Sequence, residues 1–318
     1  MTGRHEAAMK SPPPRVHAQT PLDLGQSAPA FSIVEEPTPA RPTSQTLFDA
    51  PAEGRYTLGN PLGLGGMGQV WVAEDGVLRR QVALKELSPS LRETATAEAS
   101  LAWEAWITAQ LDHPGIVSVH DAGRRRDGAA FYTMRLIRGR TLAAAIAAKE
   151  PLPRLVRHFI DACDALAYAH SAGVIHRDLK PSNVMVGEFG ETQVVDWGLA
   201  LPTGPGAGAS VPGVAPPPRH GVLGTPAYMS PEQARGEPAD ARSDVWGLGA
   251  ILYELLSGAP PYVGQDSSAL LEQVRAGAPP PLRLAHPELP PELCAIAERA
   301  MTHDPRHRYP SARALAED

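Results

Sequence analysis

The chain has 318 residues, 43% of them hydrophobic, which suffices for one large domain or two small ones around an apolar core. A net charge of −6 leaves no basic footprint for nucleic acid, and two cysteines, Cys163 and Cys294, fall outside any disulfide framework or zinc-ligand spacing, which fits a reduced, cytoplasmic setting. No run of about twenty uncharged apolar residues occurs and the start lacks the apolar core of a signal peptide, so no membrane insertion by this chain is expected.

Residues 1–54 carry nine prolines and no sustained helical or strand period, and read as a disordered, proline-rich leader. Pro12-Pro13-Pro14 could serve a polyproline-binding partner, but short proline runs are common in flexible segments. From Tyr56 the pattern changes to short β-rich runs, Tyr56–Leu62, Val70–Ala73 and Gln81–Leu87, with glycine-rich or polar turns between them. The first turn contains Gly63, Gly65, Gly66 and Gly68. Such a motif alone is weak, and because it leads into another strand it disfavours a dinucleotide-binding site, which needs a following helix. Lys85 lies within the third run, in Val82-Ala83-Leu84-Lys85. A helix is expected over Ala99–Leu111, and it offers Glu98 and Glu104. Six residues at 100° each set these two about 120° apart, so only one can face a given partner. Strands at Ile116–Ala122 and Ala130–Ile137 follow.

Beyond Gly139 apolar residues take helical spacing, clearest from Leu155 to His170, with Gly173 placed to end the helix. Ser243 is a plausible N-cap for a central buried helix over Asp244–Ser257, closed by Gly258. Between Leu201 and Arg219 glycine and proline dominate, which reads as a mobile insert. Two motifs carry the chemistry: His176-Arg177-Asp178-Leu179-Lys180-Pro181-Ser182-Asn183, and Asp196-Trp197-Gly198 thirteen residues after Asn183. Four correctly spaced residues, Asp178, Lys180, Asn183 and Asp196, make the bland alternative of separate turn residues or helix caps a poor account.

With Gly224-Thr225-Pro226-Ala227-Tyr228-Met229-Ser230-Pro231-Glu232, these motifs resemble the eukaryotic-type protein kinases, most closely their bacterial serine/threonine branch, from about Tyr56 to the end. The resemblance implies an α+β, bilobal fold, with a small β-rich N-lobe over residues 55–137 and a larger helical C-lobe over 138–318. It implies transfer of the γ-phosphoryl group of ATP, with Mg²⁺ or alternatively Mn²⁺, to Ser/Thr hydroxyls of protein substrates. ATP is expected between the lobes, beneath the Gly63–Gly68 turn and Leu62, touching Val70 and Ala83 above and Met185 below, with the hinge around Met134–Ile137. Lys85 would neutralise the α- and β-phosphates. Glu104, nine residues before His113, is its expected partner, and Glu98 is expected to be a solvated charge. Asp178 would take the acceptor proton, Lys180 would offset phosphoryl charge, and Asn183 and Asp196 would hold the metal. The resemblance further pairs Glu232 with Arg308, assigns Asp244 to the backbone of the catalytic loop, and sets His176 against Trp197.

Three departures stand out. Trp197 replaces the usual phenylalanine, which should hinder outward flipping of this residue. Pro217, Pro218 and Arg219 occupy positions where activating threonines are common, so Arg177 lacks an obvious phosphate partner and only Thr203 and Ser210 offer hydroxyls in the insert. Thr141 and Ser182, with Arg138 and Arg140 nearby, replace the acids expected of arginine-directed kinases. The chain also stops before the family's last helix is complete, which points to residues beyond Asp318 in a longer parent. A catalytically dead pseudokinase would have lost Lys85, Asp178 or Asp196. A simple ATPase would have no use for the Gly224–Glu232 segment.

Overall fold

The computed structural model describes residues 47–48, 54–64, 68–92, 94–203, 214 and 216–318. The triple proline, nearly all of the expected leader, Gly65, Gly66, Ser210 and most of the Gly/Pro insert lie outside the described residues.

A five-stranded antiparallel sheet comes first, in the order β1-β2-β3-β5-β4: β1 (Tyr56–Leu64), β2 (Gly68–Asp75), β3 (Arg80–Leu87), β4 (Val119–Arg124) and β5 (Ala130–Met134). Its β-branched and aromatic residues cover both faces. Val82, Leu84, Ala73 and Phe131 form a small core on one face, with Tyr56 and Trp71 against it. On the register of β3, Lys85 stands between Val70 of β2 and Tyr132 of β5, and Ala83 lies beside Met134. Those pairings aim the lysine and the alanine together, because residues two apart share a face.

Helix α1 (Ala95–Ala109) begins four residues earlier than its apolar pattern suggests, because the alanine-rich first turn continues the helix down to Thr94. The strand expected at Ile116–Ala122 is β4, shifted to Val119–Arg124; Ile116 instead bridges Val194.

A helical region follows, with β6 (Gly139–Thr141), α2 (Leu142–Ala147), α3 (Leu152–Ser171), β7 (Val174–Ile175), β8 (Val184–Gly187), β9 (Thr192–Val194) and β10 (Leu201–Pro202). Then come α4 (Pro231–Ala234), α5 (Ala241–Ser257), α6 (Ser267–Ala276), α7 (Leu282–Ala285), α8 (Pro291–Ala300) and α9 (Ala312–Glu317). Buried Val245, Trp246, Leu248, Ile251 and Leu252 make α5 the apolar centre. Its cap is Asp240, not Ser243. Asp240 accepts from the Arg242 N–H at 2.7 Å, and Ser243 three residues on accepts from the Asp240 N–H at 3.3 Å, a reciprocal cap that starts the helix earlier. Gly258 ends it at φ +76°.

The leader expectation needs one correction. Leu47 packs against the core and Phe48 is fully buried in it, because a large aromatic ring gains from leaving water whatever the composition around it.

Candidate active site

A cavity of about 440 Å³ opens between the sheet and the helical region. Leu62, Gly63, Val70 and Ala83 line its sheet side, Met134 and Ile137 its back and Met185 its floor. Val117 and Val195 complete the apolar walls. Neither was singled out in the sequence, although Val195 directly precedes Asp196 and adjacency could have pointed to it. Gly68 starts β2 so close to β3 that a Cβ there would stand 2.4 Å from the Glu86 carbonyl oxygen.

Lys85 reaches from β3 to two carboxylates. Its Nζ donates to Glu104 Oε1 at 2.5 Å and to Asp196 Oδ1 at 3.3 Å. Burial works against the ammonium, but the charges of Glu104 and Asp196 outweigh it and hold the lysine above its ordinary pKa. Burial likewise pulls the Glu104 carboxyl upward. The adjacent ammonium and the Tyr132 hydroxyl, which donates to the same oxygen at 2.8 Å, nevertheless stabilise its anion and keep the pair ionised. The Lys85 charge holds Asp196 below the usual carboxylate range.

Glu98 does not stand alone on the surface. It accepts from Arg124 Nη2 at 2.5 Å, because the face of α1 turned from Lys85 meets β4.

Asp178, Lys180 and Asn183 converge on one another within a single loop, and Ser182 of that loop lines the cleft. Lys180 Nζ donates to Asp178 Oδ2 at 2.7 Å, and Asn183 Nδ2 donates to the Asp178 carbonyl at 2.9 Å. Asp178 Oδ1 accepts both the backbone N–H and the hydroxyl of Thr225 at 2.9 Å, and that hydroxyl accepts from Lys180 at 2.8 Å. Thr225 therefore ties the Gly224–Glu232 segment to the Asp178 loop. The Gly-Thr pair was visible in the sequence, but its bridge across 47 positions was not. Gly224 permits the approach: it sits at φ +113°, where a Cβ would be 3.2 Å from both the Arg177 carbonyl oxygen and Asp178 Oδ1.

The loop is fixed from below by Asp244 of α5, whose carboxylate accepts the N–H groups of His176 at 2.8 Å and Arg177 at 2.9 Å and pairs with His170 Nε2 at 2.8 Å. Burial alone would raise Asp244, but His170, His176 and those N–H bonds hold it below its ordinary value. His176 Nδ1 accepts from the Asp178 N–H, which assigns the other ring proton to the Val195 carbonyl, and its ring lies 4.6 Å from buried Trp197. Arg177 and Asp196 hold left-handed backbone angles, φ +69° and +65°, a conformational cost that the surrounding bonds must sustain. Arg177 donates through Nε to the Leu199 carbonyl at 2.7 Å and through Nη1 to that of Pro218 at 2.9 Å. Burial lowers its pKa to about 10.

Glu232 and Arg308 form a buried, two-bond pair at 2.7 and 2.8 Å, and Ser243 also donates to Glu232 at 2.7 Å. Burial opposes this carboxylate, yet Arg308 and Ser243 bring it down to about 2. Of the two arginines near the hinge, Arg138 donates to Gln81, and Arg140 pairs with Glu150, which Arg154 also approaches at 3.5 Å. Thr141 caps α2 through the Ala144 N–H.

Asn183 and Asp196 offer an amide oxygen and an ionised carboxylate, the hard oxygen donors that suit Mg²⁺. Among the described residues no three His, Cys, Asp or Glu side chains form a metal cage. A pair of protein donors supplemented by substrate phosphates is the pattern such an ion takes with nucleotides.

The family model for the protein kinase domain matches residues 56–318. The chain is 40% identical over 282 residues, 87% of its length, to the serine/threonine-protein kinase PknB of Mycolicibacterium smegmatis, of which it covers 43%. A probable serine/threonine-protein kinase of Streptomyces coelicolor is 40% identical over 81% of this chain and 38% of its own length. PknB of Mycobacterium tuberculosis is 37% identical over 83% of this chain and 42% of its own length. The chain thus spans about two fifths of the relatives it matches. With that match running through the sheet, the cleft and the Asp178 loop, the chain belongs to the protein kinase family.

Proposed function

We propose that this chain transfers the γ-phosphoryl group of ATP to serine or threonine hydroxyls of protein substrates. One observation carries the reading: Lys85 joins Glu104 of α1 and Asp196; Asp178, Lys180 and Asn183 form one hydrogen-bonded cluster; and Ser182 and Val195, beside Asn183 and Asp196 in sequence, line the apolar cleft. Nucleotide base, phosphate-binding cation and proton acceptor are then arranged in line.

The adenine would lie between Val70 and Ala83 above and Met185 below, with the phosphates under Gly63 and Gly68 and beside Lys85. Lys85 neutralises the non-transferred phosphates, and Glu104 keeps its ammonium directed there. Asp178 holds the acceptor hydroxyl and takes its proton as the new oxygen–phosphorus bond forms and the bond to ADP breaks. Lys180 offsets charge on the moving phosphoryl group. Asn183 and Asp196 would hold Mg²⁺ or Mn²⁺, which when bound neutralises phosphate oxygens. Glu232 with Arg308 and Thr225 with Asp178 keep the substrate-docking segment in register.

The division into lobes near 137/138 and a signalling role belong to the same proposal. A cytoplasmic setting is supported by the two free, buried cysteines; no helix among the described residues is long and apolar enough to cross a membrane. The test is transfer of label from γ-labelled ATP with Mg²⁺ to a generic protein acceptor, followed by identification of the phosphorylated residue. Label on serine or threonine is expected. ATP hydrolysis without protein labelling, or label confined to tyrosine, would overturn the reading.

A further inference from the structure

Phe48 precedes the first strand and comes from a stretch whose composition promises no buried side chain, yet its relative exposure is 0%. It shares one contiguous apolar core with Leu87 of β3 and with Ala97 and Leu101 of α1, and Leu47 packs against the same core. The Arg124 guanidinium stands over its ring, 5.9 Å from the centroid, within the range of a cation–π contact. The same guanidinium donates to Glu98 of α1 at 2.5 Å and to the Gly128 carbonyl at 3.1 Å.

Through Arg124 the ring connects to the helix that carries Glu104. Glu98 and Glu104 lie about 9 Å apart along the axis and about 120° apart around it. A helix tied at both points, to β4 through Glu98 and to β3 through Glu104, resists rolling as well as tilting.

We propose that Phe48 is a positioning residue for phosphoryl transfer: packed beneath Arg124, it holds that guanidinium on Glu98 and so fixes the rotation of α1 that delivers Glu104 to Lys85. The inference rests on the kinase reading of Lys85 and Glu104. It adds a control point ahead of the kinase domain, a segment whose removal or capture by another protein would lower turnover without touching the cleft.

The test uses the full chain and compares Phe48→Ala, Phe48→Leu, Glu98→Gln and their double variants, reading kcat and KM for ATP against a generic protein acceptor. Wild-type transfer is measured first, so its absence would count against the kinase reading alone. If Phe48 acts through Arg124 and Glu98, Phe48→Ala and Glu98→Gln each lower kcat by about tenfold, and the double variant falls no more than about twofold below Glu98→Gln. Folding of every variant is checked by thermal unfolding. Should Phe48→Ala fail to fold, Phe48→Leu, which keeps apolar volume and loses the ring face, carries the same cycle, with a smaller loss of kcat that Glu98→Gln again absorbs. Unchanged kcat in the folded Phe48 variants, or losses that multiply in the double variant, would overturn the proposal, because a ring that merely fills the core has no reason to act through Glu98.

Discussion

Removing one hydroxyl offers a severe test of the assigned centre. Thr225→Val keeps the shape of the side chain and the backbone N–H that donates to Asp178 Oδ1, but it deletes the oxygen that donates to Asp178 at 2.9 Å and accepts from Lys180 at 2.8 Å. Both partners are charged and mostly shielded, at 11% and 21% side-chain exposure, so each lost bond falls in the charged class of about 1.5–3 kcal/mol. Asp178 Oδ1 keeps the Thr225 N–H at 2.9 Å and Lys180 keeps Asp178 Oδ2 at 2.7 Å, so the two losses together count for about one such bond in the lower half of that range. At about 1.4 kcal/mol per decade, kcat should fall roughly 10- to 50-fold. Thr225 does not line the ATP cleft, so KM for ATP should hardly move. Steady-state ADP release with a saturating protein acceptor reads both constants, and Thr225→Ser, which restores the hydroxyl, should recover most of the loss. A valine variant with wild-type kcat, or a serine variant as impaired as valine, would refute the view that this hydroxyl aligns Asp178 and Lys180.

Lys85→Met and Asp178→Asn should each cost at least ~10²-fold in kcat with the fold intact by circular dichroism; near-normal turnover in either would end the mechanism. Glu104→Ala should impair turnover more than Glu98→Ala, since only the former touches Lys85; the reverse order in the same assay would relocate the ion pair. Glu232 has a folded pKa depressed from 4.5 to about 2, so its stabilisation is fully present above pH 4.5 and is lost as pH falls toward 2. That shift corresponds to about 3 kcal/mol, and denaturant unfolding between pH 5 and 3 should show a shallower acid slope in Glu232→Gln; an unchanged slope would contradict it. Phosphatase treatment and a Thr203→Ala/Ser210→Ala double substitution should leave most activity, because Arg177 already bonds the Leu199 and Pro218 carbonyls. A tenfold drop would instead identify its buried Nη2, which has no hydrogen-bond partner among the described residues, as a phosphate ligand.

What the sequence made legible depended on separation along the chain. The Asp178–Asn183 cluster was readable because its members lie within six positions, where one turn fixes their relation. Helical period placed Glu104 and Glu98 on different faces, and the nine-residue spacing to His113 that the resemblance implies singled out Glu104. The actual partner of Glu98 was hidden: Arg124 lies 26 residues away on a strand whose register no local pattern predicts. Arg140 looked available to substrates until the fold turned Glu150 back onto it. Phe48 was the hardest case, since one of only two phenylalanines in a proline-rich stretch has no period to reveal which surface it covers.

The hidden contact of Glu98 lies on α1, and that helix makes a second one. Trp103 and Glu104 are neighbours on α1 yet bind opposite walls of the centre, the indole N–H donating to the Ala200 carbonyl at 2.9 Å while the carboxylate holds Lys85. Ala200 follows Asp196 by four residues, so an outward shift of the helix would break the contact to β3 and the contact beyond Asp196 together. The Trp103 N–H is buried, and stranding it without a partner costs about 1–3 kcal/mol before any charge is separated. Trp197, fully buried beside His176, adds a large apolar surface that the same motion would disturb. The helix position that brings Glu104 to Lys85 is therefore also the one that satisfies the Trp103 N–H, and neither contact depends on a phosphate at Arg177.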